Sequence, residues 1–132
     1  MSERKIQEEE WYEYDANGNK VHYKNSNGYE EWYEYNNDGK LIHTKNSEDD
    51  ESWYEYDKDG NLLLLHTKNS DEESWWDYDE NGNVIHYKNS DGFESWREYD
   101  VNNNMIHYNS NGYEEWYEYD ANGNIIHKIA CV

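Results

Sequence analysis

Histidine side chains recur along this sequence at nearly even spacing and could in principle bind a metal ion. They are His22, His43, His66, His86, His107 and His127. A zinc site needs several ligands that converge on one ion at about 2.0 to 2.1 Å. If each histidine belongs to one hairpin of a sheet, equivalent histidines lie about 9.6 Å apart with a strand between them. The spacing therefore predicts no metal site and no cofactor, and it favours histidines packed against a cross-strand tyrosine such as Tyr12 or Tyr33.

Acidic turns of the form Asp-x-Asn-Gly-Asn, as at 15–19, superficially resemble calcium-binding loops. An EF-hand loop needs a ligand series about 12 residues long that ends in glutamate, and no turn here supplies it. Aspartate and asparagine also stabilise turns by accepting hydrogen bonds from nearby backbone amides. The turns are therefore interpreted as structural, and weak calcium binding through overall acidity stays open.

Catalysis would require a constellation of different residues, such as a nucleophile oriented by a base. Nearly every polar residue here recurs six times instead, which suits a scaffold or a multivalent contact. The single-copy residues form no acid-base or nucleophile pattern; they are Trp76, Phe93, Arg97, Met105 and the leucine run 62–65. The sequence therefore predicts a protein that is not an enzyme.

A structural ladder of tryptophans defines the repeat that must position these side chains. Trp11, Trp32, Trp53, Trp75, Trp96 and Trp116 are 21, 21, 22, 21 and 20 residues apart. A constant period of this size indicates a repeat array. We expect an acidic N-terminal segment at 1–10, a single repeat domain at 11–129 and a C-terminal tail at 130–132.

Each repeat alternates in the manner of two strands joined by a turn. Trp-Tyr-Glu-Tyr and Val-Ile-His-Tyr-Lys have the aromatic content and period of two that strands require. Gly18 and its equivalents supply the positive φ of a type I turn with a bulge, and Asn-Gly or Asp-Gly at 27, 91 and 111 predicts a two-residue hairpin turn. The predicted fold is all-β: six tandem hairpins, or about 12 antiparallel strands, in a twisted or curled meander sheet that forms a solenoid-like ribbon.

These turns predict a register. They place Trp11 opposite Tyr23, Tyr12 opposite His22, and Tyr23 opposite Trp32. Equivalent residues would then align across every second strand with no net slip. One face would carry the tryptophans with Tyr23 and its equivalents and the aliphatic residues Val21, Ile42, Ile85, Ile106 and Ile126; the other would carry the tyrosines and the histidines.

Two repeats depart from the common length. The third inserts two residues in "GNLLLLHTK", and an even insertion keeps His66 on the same face as the other histidines. The fifth lacks the lysine before Asn109, so a bulge or a different loop must adjust its register.

The motifs 14-YDANG-18, 56-YDKDG-60, 78-YDENG-82 and 119-YDANG-123 resemble the YD repeats of RHS-type proteins, whereas 35-YNNDG-39 and 99-YDVNN-103 depart from that pattern. The resemblance covers nearly the whole chain. It implies hairpin units that, in long arrays, enclose a toxin domain or bind carbohydrate at surfaces. Six repeats are few for such a shell, no toxin domain follows them here, and Asn or Lys replaces the family's usual Arg after the glycine.

The net charge is −20, from 31 acidic and 11 basic residues. Direct binding to nucleic acid or to an anionic membrane is disfavoured electrostatically, and a basic protein is the natural complement. The sequence contains neither a signal peptide pattern nor a run of about 18 apolar residues. Together with the single cysteine, Cys131, these features predict a cytoplasmic location.

Acidic residues concentrate on both long edges of the predicted ribbon. The 31 carboxylates lie along twelve strands that span about 53 Å, which is about one charge per 1.7 Å and close to duplex DNA. The predicted partner-binding residues are Glu48, Asp49, Asp50, Glu51, Asp71, Glu72, Glu73, Tyr33, Tyr54 and Trp76.

These features favour an inhibitor that mimics nucleic acid and blocks a nucleic-acid-binding protein or nuclease, of the anti-CRISPR or anti-restriction type. Two alternatives stay open: a YD-repeat-like module that binds carbohydrate or a surface partner, and an immunity protein for a basic toxin. A second copy of the chain is a further candidate partner, through the predicted Trp/Ile face.

Overall fold

The computed structural model describes residues 4–132, which form one open antiparallel sheet whose strand order follows the chain. The strands are β1 Glu10–Tyr14, β2 Lys20–Asn25, β3 Glu30–Tyr35, β4 Leu41–Asn46, β5 Glu51–Tyr56, β6 Leu62–Lys68, β7 Glu73–Tyr78, β8 Val84–Asn89, β9 Glu94–Tyr99, β10 Met105–Ser110, β11 Tyr113–Tyr119 and β12 Ile125–Cys131. This confirms the predicted hairpin meander. Strand pairing reaches slightly beyond the predicted repeat domain 11–129 at both ends.

No helix of the described residues has the length and apolarity needed to cross a membrane.

The turn inside each hairpin is a type I turn with a bulge, as predicted. In the first repeat the amide of Asp15 donates to the carbonyl of Asn19, and Gly18 donates to the carbonyl of Asp15 with φ +86°. The Asp15 carboxylate accepts hydrogen bonds from the amides of Asn17 and Asn19, both at 2.9 Å. In the fifth repeat Asn103 replaces the glycine with φ 65°, because asparagine tolerates the left-handed region better than most residues.

Of the predicted two-residue turns between hairpins, the one at 111 is confirmed and those at 27 and 91 are wrong. At 27 and 91 the loops have three residues instead of two, because the amide of Asn25 donates to the carbonyl of Tyr29, and Asn89 does the same with Phe93. The side-chain oxygen of Asn25 fixes this conformation by accepting from the amides at 27 and 29. The fifth repeat adjusts with a different loop: Asn111 and Gly112 both have positive φ and form a two-residue turn between paired Ser110 and Tyr113.

In three repeats, the serine in the loop after the hairpin forms two hydrogen bonds to a backbone residue at the start of the same hairpin. Ser26 donates its amide to the carbonyl of Glu9, and its hydroxyl accepts from the amide of the same residue at 3.1 Å. Ser47 and Ser90 make the same pair of bonds to the residue 17 positions earlier. The recurring Asn-Ser dipeptide is the sequence signal for this contact.

The predicted register is wrong by one residue. Trp11 pairs with Lys24, Tyr12 with Tyr23, and His22 with Trp32. Two features cause the shift: a β-bulge between Glu13 and Tyr14, and the extra residue in the loop between hairpins. Because side chains alternate between faces, a one-residue shift moves a whole strand's side chains to the opposite face.

The corrected register also introduces a slip between hairpins. Glu13 is opposite His22, and His22 is opposite Trp32, so Glu13 and Trp32 lie in one row across three strands. Trp32 comes 19 residues after Glu13 in the sequence, whereas the repeat length is 21. Each ordinary repeat therefore slips by two residues, so the predicted absence of slip is wrong. The third repeat is the exception, because its two inserted residues cancel the slip and align Trp53, His66 and Trp75 in one row.

The sheet consequently has a different division of residues between its faces. The Trp face carries the ladder Trp11, Trp32, Trp53, Trp75, Trp96 and Trp116 together with all six histidines, which corrects their predicted place beside tyrosines. The Tyr face carries Tyr12, Tyr23, Tyr33, Tyr54, Trp76, Tyr87, Arg97, Tyr108 and Tyr117. Tyr23 therefore leaves the predicted Trp/Ile face, and the predicted aliphatic residues of that face occupy bulge positions: Val21, Ile42, Ile85, Ile106 and Ile126.

No hydrophobic residue of the described chain is fully buried; Ser74 and Ser95 are the buried residues. In several odd-numbered strands the last residue is a tyrosine whose hydroxyl donates a hydrogen bond to the backbone of the preceding strand. These bonds partly replace the stabilisation that a buried hydrophobic core would give. Tyr35 donates its hydroxyl to the carbonyl of Lys20 at 2.8 Å, and Tyr99 donates to the carbonyl of Val84 at 3.1 Å. Stability in this single layer therefore depends on ring stacking and hydrogen bonding across strands.

Asp49→Gly is expected to raise the free energy of unfolding by about 1 kcal/mol, because Asp49 holds a left-handed φ of 70° that costs an L-residue roughly this amount. Gly28 has φ +90° at the equivalent position, so Gly28→Asp should lower the free energy of unfolding by a similar amount. Urea unfolding of both variants measures the effect. Changes of the same sign in the two variants would contradict the assignment.

Candidate functional site

The Trp face repeats a group in which one histidine lies between two carboxylates. The Nδ1 atom of His22 is 3.2 Å from a carboxylate oxygen of Glu13, and its Nε2 atom is 3.2 Å from one of Glu30. The imidazole also stacks on Trp32, with ring centroids 5.6 Å apart and 19° between the planes. Register creates this group, because Glu13, His22 and Trp32 are opposite one another on three consecutive strands.

Three further repeats have the same group: His43 with Glu34 and Glu51, His86 with Asp77 and Glu94, and His107 with Glu98 and Glu114. His66 keeps one carboxylate, Glu73, because Leu64 occupies the position opposite Glu55. Sequence reasoning missed the groups because its register put histidines and tryptophans on opposite faces. The available signal was an acidic residue that recurs two positions before and two positions after each tryptophan of the ladder.

The third repeat brings the rings into a continuous stack. Ring centroids are 5.4 Å apart between His43 and Trp53, 4.6 Å between Trp53 and His66, and 4.8 Å between His66 and Trp75. The ammonium of Lys88 then lies 5.5 Å from the ring of Trp75. The cancelled slip causes this, because in the other repeats the residue opposite the tryptophan on the second strand of its hairpin has no ring. That residue is a lysine for Trp11, Trp32 and Trp75, Asn109 for Trp96 and Ile129 for Trp116.

The two faces differ sharply in charge. Strand carboxylates on the Trp face are Glu13, Glu30, Glu34, Glu51, Glu55, Glu73, Asp77, Glu94, Glu98, Glu114 and Glu118, against Lys24, Lys45, Lys68 and Lys88. On the Tyr face the strand carboxylates Glu10, Glu31 and Glu115 are matched by Lys20, Arg97 and Lys128. The sheet is therefore acidic on one face and balanced on the other.

Aspartates on the edge formed by the turns inside the hairpins serve those turns. Hydrogen bonds from the backbone of Asn19 are the main cause that lowers the pKa of Asp15, and the equivalent bonds from Asn61 and Asn124 lower the pKa of Asp57 and Asp120. These carboxylates stay charged, but their oxygens already accept turn hydrogen bonds. They contribute more to the negative electrostatic potential around the sheet than to direct contacts with a partner.

The predicted partner-binding residues are distributed over several surfaces. Glu51 and Glu73 lie on the Trp face beside His43 and His66. Tyr33, Tyr54 and Trp76 lie on the opposite face. The loop acids Glu48, Asp49, Asp50, Asp71 and Glu72 lie on the edge formed by the turns between hairpins. The structure therefore joins only part of this set, Glu51 and Glu73, to the acidic Trp face.

Within residues 4–132, no group of three or more His, Cys, Asp or Glu side chains is arranged to hold a metal ion. Each group on the Trp face instead binds its histidine through hydrogen bonds, with one carboxylate on either side of the ring. Cys131 is a free and exposed thiol on the last strand.

The group around His86 should make stability depend on pH. Burial alone would lower the pKa of His86, but hydrogen bonds to Glu94 and Asp77, at 2.8 and 2.9 Å, outweigh it and raise the pKa. A raised folded-state pKa adds stability that is complete below the unfolded value of about 6.5 and is lost as pH rises through the folded value.

His86→Asn should therefore lower the free energy of unfolding more at pH 5.5 than at pH 8.5, by a difference of up to about 1 kcal/mol. His127→Asn is the matched control, because His127 has one carboxylate partner, Glu118, and a side chain that is 56% exposed. Urea midpoints across this range measure both. A His86 effect that grows with pH would contradict the charge-assisted bonds.

The fold and the repeated site together define an acidic β-hairpin repeat protein. No protein-family model matches the chain, and no curated protein matches it significantly. Among solved structures, it is similar to a chain of the Photorhabdus luminescens Tc holotoxin pore with a mutation in TccC3, and to a chain in a TcdB2–TccC3 crystal structure. In both cases the TM-score is 0.52 and the identity 15%, and the match covers 92% of this chain.

This chain spans only 9% of the length of those toxin chains. The toxin components contain RHS/YD repeats, so the likeness confirms the repeat fold suggested by the Tyr-Asp motifs. It concerns the fold alone, and the similarity does not extend to an activity.

Proposed function

We propose that this protein is a non-enzymatic inhibitor that occupies the nucleic-acid-binding surface of a basic protein or nuclease, in the manner of an anti-CRISPR or anti-restriction protein. The observation that carries the proposal is the one-sided charge of the sheet. Eleven carboxylates and four lysines share the Trp face. A cationic groove that normally holds phosphates would meet this face with complementary charge.

The geometry of one repeat suits an arginine or lysine of the partner. Glu13 and Glu30 each contact the imidazole of His22 through one carboxylate oxygen, Oε1. A guanidinium of the partner can approach these carboxylates from the solvent side, because guanidinium and carboxylate groups pair through parallel hydrogen bonds. The ring of Trp32 is 40% exposed beside this group, and a tryptophan face attracts a cation.

Repetition converts these modest contacts into a continuous surface. Equivalent groups are two strands apart and slip by two residues, which separates them by about 12 Å. Several groups can therefore engage one extended basic groove at once, and the loop acids at both edges add long-range attraction. Each contact is half-exposed, so affinity should depend strongly on ionic strength.

The test uses cleavage of labelled duplex DNA by a purified guide-RNA nuclease and by a type I restriction enzyme, with and without the protein. Inhibition should weaken at least tenfold between about 50 and 200 mM salt, because the contacts are screened. Excess DNA should displace the protein from the nuclease. Lysozyme is the control, since it is basic but has no nucleic-acid groove. Failure to bind any nucleic-acid protein, or binding that is unaffected by salt and DNA, would overturn the proposal.

The regularly spaced aromatic side chains motivate the second candidate, a carbohydrate or surface-binding module. A glycan array separates the two, because carbohydrate binding through aromatic rings should persist at high salt.

A further inference from the structure

Three single-copy residues of this repetitive chain come together on the Tyr face. Trp76 lies on β7 and Arg97 on β9, each at the position that tyrosine occupies in the other four repeats. Phe93 lies immediately before β9. With Val84 and Tyr87 of the strand between them, these side chains line a groove of about 300 Å³. The groove is therefore the place where the repeat symmetry of the face is broken.

The walls of the groove are aromatic rings held in place by other contacts. Tyr87 is 5.1 Å from Trp76 and 5.8 Å from Phe93, measured between ring centroids. The hydroxyls of Tyr87 and Ser74 are 3.4 Å apart. Such walls suit the face of a flat or apolar ring.

Arg97 supplies a cation to this groove. It is the arginine of the repeat domain, in a chain of net charge −20, and it makes no ion pair with any carboxylate of residues 4–132. Its guanidinium lies 5.2 Å from the ring centroid of Tyr108. Stacking on a tyrosine holds the planar group but leaves its in-plane N–H donors for another partner.

Ser95 supplies a second polar group. Its residue is 1% exposed, and it lines the groove between Phe93, which precedes β9, and Arg97, which lies on β9. Its hydroxyl has no hydrogen-bond partner among the described residues. A buried hydroxyl without a partner costs free energy. A ligand that displaces the flanking side chains and reaches this hydroxyl would supply the missing bond.

We infer that this groove binds a small monocarboxylate carried on a six-membered ring, with the ring between the aromatic walls, the carboxylate on Arg97 and one ligand oxygen near Ser95. A single guanidinium matches the two oxygens of a carboxylate. A phosphate dianion fits less well, because it would need more donors and would meet stronger repulsion from the acidic chain. This inference concerns the Tyr face and does not depend on the proposed function of the Trp face.

The experiment is isothermal titration of the full chain with sodium benzoate and sodium glucuronate at constant ionic strength, beside their neutral counterparts benzyl alcohol and methyl glucoside. We expect millimolar binding of at least one acid and at least tenfold weaker binding of its neutral counterpart. Binding of benzoate assigns a flat aromatic acid, and binding of glucuronate assigns an acidic sugar. If neither acid binds, or if the neutral compounds bind equally well, the inference is overturned.

Arg97→Tyr restores the common repeat residue and should weaken binding of the acid about tenfold or more, because it removes a charge-assisted bond. Ser95→Ala should weaken binding about threefold. Lys128→Gln removes another cation of the Tyr face, one that is paired with Glu115 at 2.8 Å, and should leave binding within twofold. If Arg97→Tyr does not fold, Arg97→Lys keeps the charge and should still weaken binding by losing the planar fork. Equal losses in the Arg97 and Lys128 variants would overturn the assignment.

Discussion

Trp75→Ala is expected to lower the free energy of unfolding by about 3 kcal/mol, near the lower end of the range for large aromatic truncations. Trp75 lies between the imidazole of His66, at a centroid distance of 4.8 Å, and the ammonium of Lys88, at 5.5 Å. It is therefore covered on both ring faces, in a sheet without a buried hydrophobic core. Removing the indole exposes the imidazole of His66 and removes the last ring of the continuous stack.

Trp11→Ala is the matched control for this prediction. Trp11 belongs to the same ladder but lies on the edge strand, is 48% exposed and pairs with Lys24 rather than with a ring. Its replacement should cost about 1 kcal/mol or less. Urea unfolding followed by far-UV circular dichroism measures both variants, and hydrogen exchange in β6 to β8 shows whether the loss is local to the stack. Equal costs at the two positions would show that the stack has no special role.

Neutralising four glutamates of the Trp face should weaken binding to a basic nuclease about 100-fold. Half-exposed charge pairs are worth up to about 1 kcal/mol each, and a combined loss of about 2.7 kcal/mol corresponds to that factor. The four substitutions are Glu30→Gln, Glu51→Gln, Glu94→Gln and Glu114→Gln, each at a carboxylate that faces the Nε2 atom of a histidine. Glutamine keeps the size of each side chain, so the fold should persist.

A second quadruple variant changes the same total charge on the loops: Glu48→Gln, Asp59→Asn, Glu80→Gln and Asp91→Asn. If the Trp face is the contact surface, this variant should lose less than about fivefold in affinity, because distant exposed charges are screened. Fluorescence anisotropy with the labelled nuclease measures both. Equal losses would mean that overall charge, rather than the Trp face, determines binding.

Because the third repeat has no slip, the aromatic contacts in the middle of the array differ from those of the other repeats. In the ordinary repeats the residue opposite each tryptophan on the second strand of its hairpin is a lysine, an asparagine or an isoleucine, so the aromatic contacts form separate pairs such as His22 with Trp32. The two extra residues of the leucine run realign the strand and join the pairs into one row. A single even insertion thus creates the longest stack without moving any side chain to the other face.

Much of the fold could be predicted from the sequence because its information is local. The tryptophan period, the alternation of each half-repeat and the turn residues identified twelve strands, and the parity of the insertion correctly kept His66 with the other histidines. Asparagine at 103 took the place of glycine in the left-handed turn position. These features depend on residues within a few positions of one another, so one repeat contains the information for all six.

The division of side chains between faces was decided by tertiary structure. An Asn-Gly pair such as 27–28 is compatible with a two-residue or a three-residue turn, and the bulge at Glu13 and Tyr14 has no distinctive residue pattern. Each choice changes the pairing by one residue, and one residue exchanges the faces. Trp-His stacking, carboxylate bonds to both imidazole nitrogens and Tyr-Tyr contacts act together across three strands to select the observed register. For that reason the sequence alone determined the hairpins, whereas only the assembled sheet decided that histidines, tryptophans and most strand carboxylates share one face.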